Sequence, residues 1–323
     1  MTLEGLSAVE LVRRAGDGDR RAVGRLLSLV ERGGQGAEEI AELTHADSLE
    51  AHVIGITGAP GAGKSTMVAR LVAEATRQGD RPAVLAVDPS SPLTGGAILG
   101  DRVRMADVDT TAFIRSMATR GHAGGLALAI PGGARVLAAA GFDPVVIETV
   151  GVGQVEVDVT AAADTTVVVV TPGMGDAVQA NKAGLLEVAD LFVVNKADQP
   201  GASDTRRDLE LMLELSHVTG QEDEHYRPPI VMVNSLDGDG IVDVHELIRS
   251  HRNHLVSSGT LHVRRCRRAR FELASRAGLR FDRDLATVLS SPAMVTVIDE
   301  VASGSATPGV GVAALAASLA ERP

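Results

Sequence analysis

The chain holds one cysteine, no tryptophan, one tyrosine and only 2% aromatic residues in 323. The lone Cys266 excludes a disulfide framework and any multi-cysteine metal site within one chain, and this scarcity suits a reducing cytosol. Lysine is nearly absent as well: only Lys64, Lys182 and Lys196 stand among 31 basic residues, so arginine is the default cation and each lysine asks for a reason. Long apolar runs are missing. Strand-like runs such as 167–170 are far too short to cross a bilayer, so no membrane partner is expected. The N-terminus Met-Thr-Leu-Glu-Gly-Leu lacks a basic region followed by an apolar run, so no signal peptide is expected and the expected compartment is the cytoplasm. Basic excess is missing too: a net charge of −11 argues against nucleic acid as the main partner, because phosphate backbones are held by Lys and Arg. What is present, 45% hydrophobic and 23% charged residues, is the composition of a globule with a substantial core.

From His52 onward, short apolar runs alternate with helical patterns. They predict strands over 53–57, 83–87, 145–148, 165–171, 191–195 and 230–234, and helices over 64–78, 178–189, 204–217 and 241–252. Runs apolar on both faces belong to a mostly parallel α/β sheet covered by helices on both sides. Between the second and third runs lies a long segment, 88–142, rich in Gly and Asp, and such a stretch in a compact domain is usually functional. Before the sheet, Ser7 and Glu10 read as a capping box, Asp19 caps a second helix, and 37–43 forms a third, so 1–50 is a helical extension. The central domain is 51–252. Beyond it, 253–323 reads as a helical arm broken by Pro292 and Pro308, whose basic run from Arg264 to Arg270 is a solvated face.

Three words carry chemistry, each after a predicted strand. Gly58-Ala59-Pro60-Gly61-Ala62-Gly63-Lys64-Ser65, with Thr66 following, is a full phosphate loop. Its glycines let backbone N–H groups converge on phosphate oxygens at a helix N-terminus. Lys64 would bridge the β- and γ-phosphates from a surface position open until nucleotide arrives, and the Ser65 hydroxyl would ligate Mg²⁺. Glu148-Thr-Val-Gly151 stands where an acid and a glycine sense the γ-phosphate, with Glu148 directed at the metal. Asn195-Lys196-Ala-Asp198 selects the base. Asp198 can accept from guanine N1–H and the exocyclic amine together, whereas adenine would leave its charge unpaired, a discrimination of roughly 10⁴-fold. Lys196 would pack along the base, and Asn234-Ser235-Leu236 would bring a backbone N–H to guanine O6, with Leu236 where alanine is usual. Asp88 and Asp101, in the long segment, are further candidates for Mg²⁺ or for the catalytic water. Val152 stands where a water-orienting Gln is found in Ras-like proteins, so slow intrinsic hydrolysis is expected. Because the other two lysines sit in nucleotide words, Lys182 is assigned a functional role too.

These words, together with Val87-Asp88-Pro-Ser-Ser-Pro92, Gly95-Gly-Ala-Ile-Leu-Gly-Asp101-Arg-Val-Arg-Met105, Glu148-Thr-Val-Gly-Val-Gly-Gln154 and Gly175-Asp-Ala-Val-Gln179, resemble the methylmalonyl-CoA mutase-associated GTPase family, over about residues 50–250. The resemblance implies a P-loop NTPase fold with helical extensions, the C-terminal arm a candidate for dimerisation, and a homodimer. It also implies a Mg²⁺-dependent, GTP- and GDP-binding chaperone that gates cofactor loading into an adenosylcobalamin-dependent acyl-CoA mutase and protects it. Lys182 would then contact the mutase and couple it to nucleotide state. Two other readings share the phosphate loop: a nickel-insertion GTPase, and a kinase acting on a transport component.

Overall fold

The computed structural model describes residues 5–88, 112–118, 123–149, 159–173, 188–217 and 226–320. At its centre is a seven-stranded sheet of β1 Val53–Thr57, β2 Ala83–Asp88, β3 Phe113–Ala118, β4 Val145–Thr149, β5 Thr165–Val170, β6 Leu191–Asn195 and β7 Ile230–Val233. The strand order is β3-β2-β4-β1-β5-β6-β7, and every pairing is parallel. Every residue of β1, β4, β5 and β6 is buried, as expected for strands covered on both faces.

The helices that cover the sheet are α1 Ala8–Gly16, α2 Arg20–Arg32, α3 Gln35–Thr44, α4 Lys64–Arg77, α5 Ala123–Ala139, α6 Ala202–His217 and α7 Ile241–Ser258. Their layers follow the two-residue alternation of the strands. Leu85, Val145 and Ile147 join Leu11, Leu26, Leu27 and Leu137 in one core beneath α1, α2 and α5. Val84, Val146, Val167 and Val169 face the other way, onto Met67, Val68 and Leu71 of α4 and Val244 and Ile248 of α7. Ser7 caps α1 by accepting from the Glu10 N–H at 3.3 Å, but the Glu10 carboxylate binds Arg13 and Arg14 instead of completing a capping box. Asp19 caps α2.

The segment 88–142 is less irregular than its composition predicts, since it contributes β3 and α5. Gly132 and Gly133 in α5 explain both its position and its poor legibility. A Cβ on Gly132 would lie 2.8 Å from Val30, and one on Gly133 would lie 3.1 Å from Leu85 and 3.2 Å from Met117. These glycines cost helix propensity and let α5 lie close against α2 and the sheet.

Two compact units are distinguished, residues 1–269 and 270–323. The boundary falls within α8 Thr260–Leu289, which α9 Pro292–Ala302 and α10 Pro308–Ala320 follow. Pro292 and Pro308 open helices instead of breaking one, and Ser291 caps α9. In the second unit Gly311 of α10 allows close approach to Val301 and Val297 of α9. Among the described residues no single helix is long and apolar enough to cross a membrane.

The basic run corrects a second expectation, since two of its arginines, both within the first unit, grip acids at strand starts. Arg264 makes a bidentate pair with Asp190 at 2.7 and 2.6 Å, and Arg268 donates to the Ala162 carbonyl and to Asp164. Asp164 and Asp190 directly precede β5 and β6 and also accept backbone N–H groups of Val53 and Thr166. Those arginines therefore hold buried strand-start carboxylates and are not a solvated face.

Candidate nucleotide site

The phosphate loop leaves the C-terminal end of β1 and enters α4. Gly58, Gly61 and Gly63 all have positive φ, at 140°, 77° and 88°. A Cβ on Gly58 would collide with the Val169 carbonyl, and one on Gly63 with the Asn195 side chain. Both positions therefore demand glycine for conformation and for space. No side chain caps α4 at Gly63, and a helix N-terminus of this kind suits an anion. Lys64 is not at the surface as the sequence predicts. It is 6% exposed, and its Nζ donates to the Gly58 carbonyl at 2.6 Å and the Ala59 carbonyl at 3.0 Å. The loop folds over its own lysine and presents the charge from within.

Ser65 and Glu148, the two expected metal ligands, come together. Glu148 is opposite Ile56 in the β1–β4 register, 5% exposed, and its Oε1 accepts from the Ser65 hydroxyl at 2.5 Å. Hard oxygen donors converging beside a phosphate loop suit Mg²⁺.

On the base side, Asn195 closes β6 at 2% exposure. Its Nδ2 donates to the Ala62 carbonyl at 2.8 Å, while its Oδ1 accepts from the Ser235 N–H at 3.1 Å and the Ser235 hydroxyl at 2.8 Å. Both polar atoms tie the phosphate loop to the turn after β7. Base reading thus falls to the residues that follow. Lys196 has φ 57°, the one positive value for a non-glycine among the described residues. That turn carries Asp198 to the surface, where it is exposed. Asn234 shapes the facing turn: its Oδ1 accepts the Leu236 N–H at 3.1 Å and its Nδ2 donates to Asp237 at 2.6 Å. Leu236 is 73% exposed beside this site. Sequence reasoning missed Arg70, whose Nη2 donates to the Leu236 carbonyl at 2.6 Å and braces this turn from the phosphate-loop helix. A lone arginine on a helix gives no signal of such a role.

Asp101 and Lys182 lie outside the described residues, as do Val152 and Gln154 and most of the helix expected over 178–189. Of Asp88, only the backbone position at the end of β2 is described.

A phosphate loop at the end of one parallel strand, an acid against its serine from the next, and a guanine word tied to the same loop define a P-loop GTPase. The family model described as "Methylmalonyl Co-A mutase-associated GTPase MeaB" matches residues 23–283, and the chain belongs to that family. The match extends past the motif-bearing region and stops before Pro292. A relative from Pyrococcus abyssi is 48% identical over 266 residues, 82% of each chain. The GTPase ArgK of Escherichia coli is 34% identical over 259 residues, 78% of each chain. The methylmalonic aciduria type A homolog of mouse is 36% identical over 214 residues, 66% of this chain and 52% of that one. The crystal structure of a LAO/AO transport system kinase aligns over 98% of each chain with a TM-score of 0.66 and 25% identity.

Proposed function

We propose that this GTPase is a Mg²⁺-dependent chaperone of an adenosylcobalamin-dependent acyl-CoA mutase of the methylmalonyl-CoA type, acting in the cytoplasm as a homodimer. It would gate cofactor loading and protect the loaded enzyme, with 1–50, 51–252 and 253–323 as its extension, GTPase domain and arm. The Ser65–Glu148 contact carries the nucleotide half of this reading, because it joins the two expected metal ligands across different elements. Those two residues would hold Mg²⁺, which would offset the phosphate charge. The mutase half is supported by the family's description and by the mouse relative's name. Lys182 is assigned to coupling with the mutase, and Asp88 and Asp101 to the metal or water. The alternative of a transport-component kinase is supported only by the description of one related structure, and Asp198 weighs against ATP. Co-purification of the chain with a B12-dependent mutase, in GDP and in a GTP analogue, tests the proposal. A nucleotide-dependent complex is expected, and no complex in either state refutes it. Lys182→Ala is expected to keep nucleotide affinity and abolish mutase-stimulated hydrolysis.

A further inference from the structure

At the N-terminal ends of the strands, away from the phosphate loop, a cavity of about 260 Å³ opens between α4 and α7. Its roof is formed by His52, Pro82 and Pro144, each directly before a strand, and its apolar walls include Ile54, Leu71, Val72 and Ile248. At ~30 Å³ per water it has room for about nine waters' worth of ligand. The first unit therefore holds a small-molecule-sized space that the nucleotide does not use.

The polar groups around this space are not equivalent. Arg252 is committed to Asp143 at 3.0 Å and to the Glu50 carbonyl at 2.6 Å, and His245 is 3.6 Å from Asp80. Arg249 is exposed at the rim and makes no hydrogen bond or ion pair among the described residues. Asn253 follows it by four residues on the same helix face.

His52 is the second distinctive group. It is 4% exposed and begins a buried chain of contacts: its Nε2 is 2.7 Å from Thr165 Oγ1, which is 2.8 Å from His251 Nδ1. The Nε2 of His251 in turn is 3.4 Å from Asp190. His52 Nε2 is engaged by Thr165, while the other ring nitrogen, Nδ1, makes no hydrogen bond among the described residues. Burial first, then the charges of Arg252, His251 and Arg265, hold the His52 pKa down to about 3, so the ring is neutral.

We propose that this cavity is a second ligand site, specific for a short aliphatic 2-hydroxy acid whose carboxylate is held by Arg249 and Asn253 and whose hydroxyl forms a hydrogen bond with His52 Nδ1. The hydrocarbon lies on the apolar wall, half of which is α4, the helix that starts at Lys64. Titration calorimetry on the full chain would compare 2-hydroxy-4-methylpentanoate with 4-methylpentanoate, which lacks the hydroxyl, and with 4-methylpentane-1,2-diol, which lacks the carboxylate. The hydroxy acid is expected to bind at one equivalent, and each analogue roughly tenfold more weakly. Arg249→Ala, an exposed position that does not threaten folding, is expected to weaken the hydroxy acid by the same factor and leave the diol unchanged. Absence of saturable binding by the hydroxy acid, equal affinity for 4-methylpentanoate, or full affinity in Arg249→Ala overturns the proposal.

Discussion

Replacing Asn195 by alanine tests the central feature of the nucleotide site. The side chain is 2% exposed and makes three hydrogen bonds, to the Ala62 carbonyl and to the Ser235 N–H and hydroxyl. Each such bond contributes about 1 kcal/mol, and stranding a buried carbonyl and N–H adds to the loss, so Asn195→Ala should destabilise the chain by about 2–4 kcal/mol. That is a large share of a typical stability of ~5–15 kcal/mol. With no tryptophan in the chain, urea unfolding is best followed by far-UV circular dichroism without nucleotide. GDP affinity should fall in the same variant, because the tie also sets the distance between phosphate loop and base turn. Asn195→Asp keeps the volume but turns an acceptor toward the Ala62 carbonyl, and should be at least as damaging. A loss below ~0.5 kcal/mol with unchanged GDP affinity would refute the cross-tie.

Asp198→Asn should weaken GTP and admit xanthine nucleotide, measured by competitive binding; unchanged base preference would remove Asp198 from the site. Lys64→Ala should weaken GTP by about 1.5–3 kcal/mol and abolish hydrolysis with circular dichroism unchanged, and wild-type turnover would exclude the phosphate-loop role. His52 has its folded pKa lowered to about 3 against 6.5 when unfolded, so the unfolded chain takes up the proton first. Stability is therefore lost as pH falls from 6.5 toward 3, at up to about 1.4 kcal/mol per pH unit from this group. Urea midpoints for His52→Gln should fall less steeply across that window, and parallel curves would show that His52 is not the group responsible.

Six of the seven strands were legible because burial on both faces leaves a continuous apolar run. β3 was not, since Arg115 and Ser116 interrupt Phe113–Ala118. α5 was hidden by its own packing, because the glycines that admit Val30 and Leu85 read as a loop. The phosphate loop, Glu148 and Asn195 fell at strand ends as predicted, since their spacing reflects the sheet. Their internal division of labour was not legible. Nothing in Asn195-Lys196-Ala-Asp198 says that its first residue holds the loop, and nothing in the phosphate loop says that Lys64 is enclosed by Gly58 and Ala59. The arginine pairing had one faint signal. The dipeptide Ala-Asp precedes both β5 and β6, at Ala163-Asp164 and Ala189-Asp190.

Those two aspartates determine where this chain can be cut. The sequence places the end of the GTPase domain at Arg252, but a fragment ending there would lose Arg264 and Arg268. It would leave Asp164 and Asp190, 1% and 5% exposed, with no arginine to neutralise them. Uncompensated buried carboxylates are costly, so such a fragment should unravel at the starts of β5 and β6. The shortest electrically self-sufficient piece must reach Arg268. The first compact unit ends one residue later, at Ala269.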